Sequence, residues 1–438
     1  MWRAVVLIAL YVAVANAPLL LIAALHLHGD YSFVFEIGRG IGLAAFGIII
    51  LQAVLTARFK LFEQPFGFDM VSRFHKIMGV FTATLLVFHP TLMAYAGIGW
   101  KLITHFTIEW YYWVGRVALL VLLSHVLVSA FRSRLGINFE RWRRAHYLIA
   151  PVIVALVFVH SWWSGYDMGP LSIQVLWIAL VTLSFAAYVD HKILRPMALK
   201  RRPYLVVGAK QETHNVWTIN LAPPEGESLY EYLPGQFHFI TFYRGRGLPV
   251  EEHHWTISSS PTQGASVSST IKESGDFTKT IGLTKPGDTA LVQGPFGRFS
   301  YVLHPRDRDF VFIAGGIGIT PLRAMLRHMR DTGMDAEVLL LYASRTERDI
   351  VFREELAAME TGRRPHLRVV HILSRPEPGW TGETGHVDRE KIERFAGNTL
   401  VGKAFYICGP PAMSAEVIKV LRARGVTYNC IRTEQFSL

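Results

Sequence analysis

Four histidines stand in two matched pairs. His75 and His89 lie fourteen residues apart in VSRFHKIMGVFTATLLVFHP, and His146 and His160 lie fourteen apart in RRAHYLIAPVIVALVFVH. Fourteen residues of α-helix rise about 21 Å and return to nearly the same face. Each helix would then offer one imidazole near one surface of a bilayer and a second near the other. Two such helices side by side would hold two stacked haems, each iron taking one histidine from each helix. A lone intramembrane histidine is often a buried polar residue satisfied by a neighbouring helix. Ionisable residues inside a membrane are costly, however, and tend to be functional. The matched spacing on two helices favours ligation. His125 makes the contrast: it is alone on its apolar segment and reads as an interior polar residue.

The elements that must carry these residues follow from composition. The chain has 438 residues, 51% of them hydrophobic, with a formal charge of +11. Residues 1 to about 196 are membrane-like, and the rest has the composition of a water-soluble α/β protein. The excess positive charge sits largely in short loops between apolar runs, as the positive-inside rule expects, so it does not signal nucleic acid. Two cysteines, Cys408 and Cys430, are too few for an iron–sulfur cluster or a disulfide framework.

Six apolar spans are expected, at about 4–26, 37–57, 74–96, 110–131, 147–163 and 171–190. Each is near the length needed to cross the hydrocarbon core, the fifth being short. Basic residues are expected in the loops after the second span (Arg58, Lys60, Arg73, Lys76), the fourth (Arg132, Arg134, Arg141, Arg143, Arg144) and the sixth (Lys192, Arg195, Lys200, Arg201, Arg202). Both termini and the soluble half should therefore face the cytoplasm. Trp110, Tyr111, Tyr112 and Trp113 read as an outer aromatic belt. With this topology His75 and His146 lie near the cytoplasmic face, and His89 and His160 near the outer one. Arg73, Arg141, Arg143 or Arg144 would be placed for inner propionates and Arg116 for outer ones; topology signalling alone also explains the loop arginines. Ala15-Asn16-Ala17 is similar to a signal-peptidase site, but Pro18 follows and the apolar run continues to Leu25. A retained helix is the expectation.

From about residue 203 the pattern changes to short β-like runs, YLVVGAK, NVWTINL and QFHFITFY, separated by turns such as Pro234-Gly235 and Pro286-Gly287. These predict a small antiparallel β-barrel to about 303. Beyond it DFVFIAG, AEVLLLYAS, LRVVHILS and KAFYICG alternate with helical stretches, the rhythm of a parallel sheet. Ala314-Gly315-Gly316-Ile317-Gly318-Ile319-Thr320-Pro321 follows the first of these strands. Thr320 suits an N-cap and Pro321 the first helical position. Such a loop lets backbone approach a pyrophosphate at a helix N-terminus. Ser344 and Arg345 end the next strand, where an arginine accommodates a 2′-phosphate. That points to NADPH, although Arg345 would also serve as a solvated strand-end charge and Glu347 stands nearby.

Together these residues resemble the NADPH oxidase and ferric reductase superfamily, over nearly the whole chain. The fold so implied is a six-helix transmembrane di-haem domain (1–198), an antiparallel β-barrel FAD domain (199–304) and an α/β Rossmann-like NAD(P)H domain (305–438). His75, His89, His146 and His160 match the family's ligands for two b-type haems. His253-His254-Trp255-Thr256 is similar to its flavin motif, with His254 in place of the usual Pro and Trp255 in place of Phe. Lys272 with Gly275-Asp276-Phe277-Thr278 resembles the FAD-pyrophosphate segment, and Gly294-Pro295-Phe296-Gly297 the domain-junction loop. Cys408-Gly409-Pro410 resembles the nicotinamide-side motif, with Cys408 near the hydride carbon. Phe436 resembles the terminal aromatic that stacks on the flavin; an ordinary buried anchor is the alternative.

The resemblance implies that NADPH gives a hydride to FAD and that single electrons then cross the bilayer to oxygen, giving superoxide. Arg39 opens the second span on its outer side, where an arginine of the oxidases is associated with oxygen reduction. A positive charge there would favour a forming anion; a propionate partner or headgroup anchor explains it as well. A ferric-chelate reductase, or an electron relay to a periplasmic partner, would use the same wiring. Short basic loops and a compact chain suggest a bacterial inner membrane.

Overall fold

The computed structural model describes residues 2–25, 31–165 and 167–434. It divides into two units, Met1–Met197 and Ala198–Leu438. Phe436 lies outside the described residues.

The first unit is helical: α1 (Trp2–Ala15), α2 (Ala17–Ala24), α3 (Phe33–Thr56), α4 (Lys60–Phe66), α5 (Phe68–Met93), α6 (Lys101–Thr104), α7 (Trp110–Phe131), α8 (Phe139–Ser164), α9 (Leu171–Val189) and α10 (Arg195–Arg201). Among the described residues five spans are long and apolar enough to cross a membrane: Phe33–Thr56, Phe68–Ile98, Trp110–Phe131, Phe139–Ser164 and Leu171–Arg201. The expected first span is not one straight helix. It bends by 62° between α1 and α2. Pro18, in the first turn of α2, has no N–H and crowds the preceding turn. Asn16 donates its amide to Val12 O at 2.8 Å. Beside the bend, Ala15 is buried against α3, and a β-carbon on Gly47 would lie 2.0 Å from Ala15 O. Glycine at 47 therefore sets how closely the two helices cross.

The helices also run further than the hydropathy does. Arg73 and Lys76 lie on α5, and Arg141, Arg143 and Arg144 lie on α8 rather than in loops. Asn138 starts α8 early by accepting from Glu140 N at 2.8 Å and Arg141 N at 3.4 Å. Lys192, Arg195, Lys200 and Arg201 fall in the helical continuation of α9. Apolar runs mark the bilayer core, whereas long basic side chains let a helix continue beyond it with their charges in the polar layer. Arg195 donates to Ala57 O at 2.9 Å, capping the C-terminus of α3.

The second unit opens with six antiparallel strands: β1 (Tyr204–Thr213), β2 (Val216–Ala222), β3 (Phe237–Tyr243), β4 (Glu252–Thr256), β5 (Val267–Lys272) and β6 (Thr289–Phe296), in the order β4-β3-β6-β1-β2-β5. A bridge between Ile257 and Ser269 joins the chain after β4 to β5. Alternate residues (Ile219, Leu221, Ile240, Phe242, Ile257, Ile271) fill its interior.

A parallel sheet follows, β10-β9-β8-β7-β11-β12, built from β7 (Asp309–Gly315), β8 (Glu337–Ser344), β9 (His366–Leu373), β10 (Glu383–Thr384), β11 (Ala404–Cys408) and β12 (Ile431–Glu434). Its helices are α11 (Ile319–Asp331), α12 (Arg353–Glu360), α13 (Arg389–Ala396) and α14 (Pro411–Ala423). Strands β7, β8 and β11 are apolar almost throughout because both faces are covered. The chain steps from β7 to β8, and later returns to place β11 on the other side of β7. A crevice at such a reversal of strand order is where open α/β sheets bind ligands.

Candidate functional site

In the helical unit α5 and α8 bring the four histidines together as two pairs. The ring centroids of His75 and His146 are 6.0 Å apart at 81°, and those of His89 and His160 are 6.5 Å apart at 78°. A metal–imidazole bond is about 2 Å, and each nitrogen lies about an ångström from its ring centre, so a shared metal requires roughly 6 Å between centroids. Both pairs meet that spacing.

The nitrogen not aimed at a metal should be occupied elsewhere. His89 Nδ1 donates to Gly38 O at 2.8 Å and His160 Nδ1 donates to Tyr111 O at 3.0 Å, which leaves each Nε2 free to ligate. His146 Nδ1 is 2.7 Å from His125 Nε2. His75 Nδ1 is buried with no hydrogen-bond partner among the described residues. His125, expected to be an isolated interior residue, thus stands directly behind a candidate ligand.

Two glycines make room for the second pair. A β-carbon at Gly42 would sit 2.8 Å from the His89 ring, and one at Gly115 would sit 2.6 Å from the His160 ring. Around them lies a cavity lined by apolar side chains such as Leu43, Phe46, Leu86 and Val157, with Arg39, Arg116 and Asp167 as its charged groups. This apolar slot between two imidazoles, with cations at its edge, fits a haem. Arg116 is already committed: it donates to Leu102 O at 2.7 Å and Lys101 O at 3.1 Å. Arg39 is buried and reaches both oxygens of Asp167, at 3.1 and 3.2 Å, and Glu36 at 2.6 Å. Sequence reading saw a lone cation at 39; the structure gives it two carboxylates.

In the second unit, β4 presents His253 and Trp255 on one face, where Phe277 lies 4.4 Å and 6.5 Å from their rings. His254 faces the other way, onto Phe237 and Phe239. The HHWT and GDFT segments are therefore adjacent, and the indole Nε1 of Trp255 is buried without a partner among the described residues. Thr278 Oγ1 accepts from Ser274 N and Gly275 N at 2.8 Å, closing the turn that shapes this edge. Lys272 Nζ lies 3.9 Å from Asp349. Behind β4, Tyr230 donates to His238 Nδ1 (2.5 Å), His238 Nε2 donates to Ser269 Oγ (2.6 Å), and Ser269 donates to Thr256 O (3.1 Å). Complete burial pushes the His238 imidazole down to about 3, so it is neutral as this chain requires. An aromatic shelf with an unspent indole donor and a shaped glycine turn fits FAD.

The nucleotide loops meet at the β7/β11 crevice. A β-carbon at Gly315 would be 2.6 Å from Pro410 Cδ, one at Gly318 would be 2.2 Å from Cys408 O, and one at Gly409 would be 2.9 Å from Gly315 Cα. Gly316 has φ +55. Four glycines thus let two loops interlock with little between them and open space. The helix, however, begins at Ile319, so Thr320 is not its N-cap and Pro321 is not its first residue. A turn of 3₁₀-helix over Gly316–Gly318 leads into it, and Thr320 is buried with its hydroxyl donating to Ile317 O at 3.0 Å. Ser344 is buried at the end of β8 and Arg345 is exposed just beyond it. Cys408 is fully buried, and burial with the nearby Glu434 carboxylate pushes its thiol up. Glu434 pairs with Cys408 in register across β11 and β12, and is near Gly297 of the junction loop. It had no signal in the sequence beyond a position near the C-terminus.

Comparison with known proteins agrees with this division. Residues 41–157, which include His75, His89 and His146, match the family model of the ferric reductase like transmembrane component. Residues 312–419 match the oxidoreductase NAD-binding domain. Sulfhydrogenase 1 subunit gamma of Pyrococcus furiosus is 29% identical over 228 residues, 52% of this chain and 75% of that protein. NADH-cytochrome b5 reductase 1 of Pyricularia oryzae is 28% identical over 63% of this chain and 89% of that protein. The chain spans only 18% of the NADH nitrate reductase of Ulva prolifera, at 32% identity. Among solved structures, the cytochrome b5 reductase domain of that nitrate reductase aligns with 54% of this chain and 97% of its own (TM-score 0.48, 23% identity). The flavohemoglobin of Malassezia yamatoensis aligns with 92% and 99% (TM-score 0.50, 16% identity), a likeness of fold alone.

The molecule is an NAD(P)H oxidoreductase. More particularly, it joins a segment that matches the ferric reductase like transmembrane component to one that matches the oxidoreductase NAD-binding domain, with helices long and apolar enough to cross a membrane.

Proposed function

We propose that this chain is a transmembrane NADPH oxidase of a bacterial inner membrane, with its nucleotide unit in the cytoplasm. One NADPH and two oxygen molecules give NADP⁺, a proton and two superoxide anions. His75 with His146, and His89 with His160, would hold two b-type haems; the 253–256 and 275–278 segments would hold FAD. Bound flavin and haem supply the conversion of a two-electron hydride into single electrons. The observation that carries this reading is the pair of imidazole separations, 6.0 and 6.5 Å, each suited to one shared metal.

The chain's own residues do the positioning. Gly315 and Gly318 let the loop pack on 408–410, Gly316 leaves open space where a pyrophosphate would approach the mouth of α11, and Arg345, just beyond β8, would meet a ribose 2′-phosphate. Cys408, Gly409 and Pro410 border the nicotinamide side of the same crevice, and Lys272 supplies a cation for the flavin pyrophosphate. Cys408, held as a neutral thiol, packs there and does not act as a base. With both imidazoles of each pair committed to holding haem, the acceptor would be met by the cavity wall rather than by an open ligand site.

A ferric-chelate reductase is the second reading, and one observation favours it. Arg39 is matched by two carboxylates, Glu36 and Asp167, so the cavity edge is less attractive to a forming anion than a lone arginine would be. The test is reduction of cytochrome c by the purified, cofactor-loaded chain with NADPH. Abolition by superoxide dismutase supports the oxidase; reduction that continues with dismutase or without oxygen supports transfer to a metal chelate or protein.

A further inference from the structure

The two histidine pairs are backed differently. Behind His89 and His160 stand main-chain carbonyls, Gly38 O and Tyr111 O. Behind His146 stands a side chain: His125 Nε2, 2.7 Å from His146 Nδ1, with the two rings 4.8 Å apart at 29°. His125 is itself held. Ser129 donates to His125 O at 2.7 Å, and Trp142 Nε1 donates to Ser129 Oγ at 3.0 Å while its ring lies 5.3 Å from that of His146. Residues 125, 129, 142 and 146 thus form one cluster between α7 and α8.

We infer that His125 is a positioning residue that fixes the tautomer of His146 and lowers the reduction potential of the site His146 serves. The inference rests on reading the two pairs as haem ligands. If His146 ligates through Nε2, its proton is on Nδ1 and is donated to the Nε2 lone pair of His125. An imidazole nitrogen is a stronger acceptor than a peptide carbonyl. Donation to it makes the ligand more electron-rich, which stabilises the oxidised metal. The His89/His160 site has only carbonyl acceptors behind it, so one ligand of one pair is singled out. The effect sets a difference between the two sites, which is what gives electron flow along the helices a direction.

The experiment is redox titration of the full-length, haem-loaded chain in detergent, comparing wild type with His125→Leu and His125→Gln. Wild type is expected to bind two bis-histidine haems with resolvable midpoints. In H125L one midpoint rises and the other stays, with both haems retained. In H125Q, whose amide oxygen can accept the same bond, the shifted midpoint returns toward wild type. Two retained haems with unmoved midpoints in H125L would overturn the inference and leave the ligand reading standing. So would loss of a haem in both variants, which would make His125 a packing residue. A wild type without two bis-histidine haems would overturn the ligand reading itself, and this inference with it.

Discussion

In the proposed function the two units meet the same task, holding a redox group, by opposite means. In the helical unit the chemistry is carried by side chains, four imidazoles on α5 and α8, and the backbone's task is to stand straight and space them. In the second unit it is carried largely by backbone, in glycine loops at strand ends where the absence of a β-carbon permits the approach. The difference teaches what a substitution does in each. Removing a side chain in the helices removes a ligand and leaves the scaffold. Adding a single carbon in the loops displaces the scaffold.

The largest effect is expected from the helices. His75→Leu or His146→Leu should abolish NADPH-driven reduction of the acceptor and halve bound haem, measured by pyridine haemochrome, while NADPH still bleaches the flavin. Loss of flavin reduction as well would mean that these histidines do more than hold haem. Next comes Gly318→Val. A β-carbon there would meet Cys408 O at 2.2 Å, so the rate of flavin reduction by NADPH should fall at least tenfold in stopped flow, with haem content unchanged.

Arg39→Ala sits between the two behaviours, since it is a side chain whose partners are left behind. The buried Asp167 and the partly exposed Glu36 would lose this cation, and breaking the buried Arg39–Asp167 pair costs about 3–5 kcal/mol. The melting temperature of the detergent-solubilised chain should drop, and oxygen reduction should slow with both haems retained. Arg39→Ala with Asp167→Asn should recover much of the stability but not the rate. Recovery of both would show that the charge at 39 has no part in turnover.

The smallest effect concerns pH. His238 is depressed from its ordinary value to about 3 in the folded chain, chiefly by burial. The unfolded chain binds a proton there below about pH 6.5 and the folded chain does not. Its contribution is therefore complete above about 6.5 and is lost as pH falls toward 3. The temperature of flavin release should fall between pH 6.5 and 5, and less so in His238→Phe. An equal fall in both would place the pH dependence elsewhere.

The facing of the four histidines in two pairs and the strand–glycines–helix arrangement were legible in the sequence because each rests on a local rule: helical spacing for the one, turn chemistry for the other. What sequence could not show depends on contacts between distant segments. His125 looked solitary because its partner lies on the next helix, 21 residues on. Asp167 meets Arg39 across 128 residues, and no periodicity announces such a pair. The misplaced N-cap at Thr320 has a local cause instead: a 3₁₀ turn over Gly316–Gly318 runs into the helix and starts it at Ile319, two residues before Pro321. Gly42 carried no signal in the sequence; its meaning, room for an imidazole, needed the neighbouring helix.

Gly42 and Gly115 have one more consequence, for assembly. Each lets a helix pass close over an imidazole whose Nδ1 is already bound to a carbonyl, so the His89 and His160 rings are seated before any cofactor arrives. Ordering a free side chain costs up to about 1.5 kcal/mol at an interface, and at this pair that cost is met during folding. His75 has no such tether on its Nδ1. When haem is scarce the chain should fill from the His89/His160 end, which in the proposed function is the end that passes electrons to the acceptor.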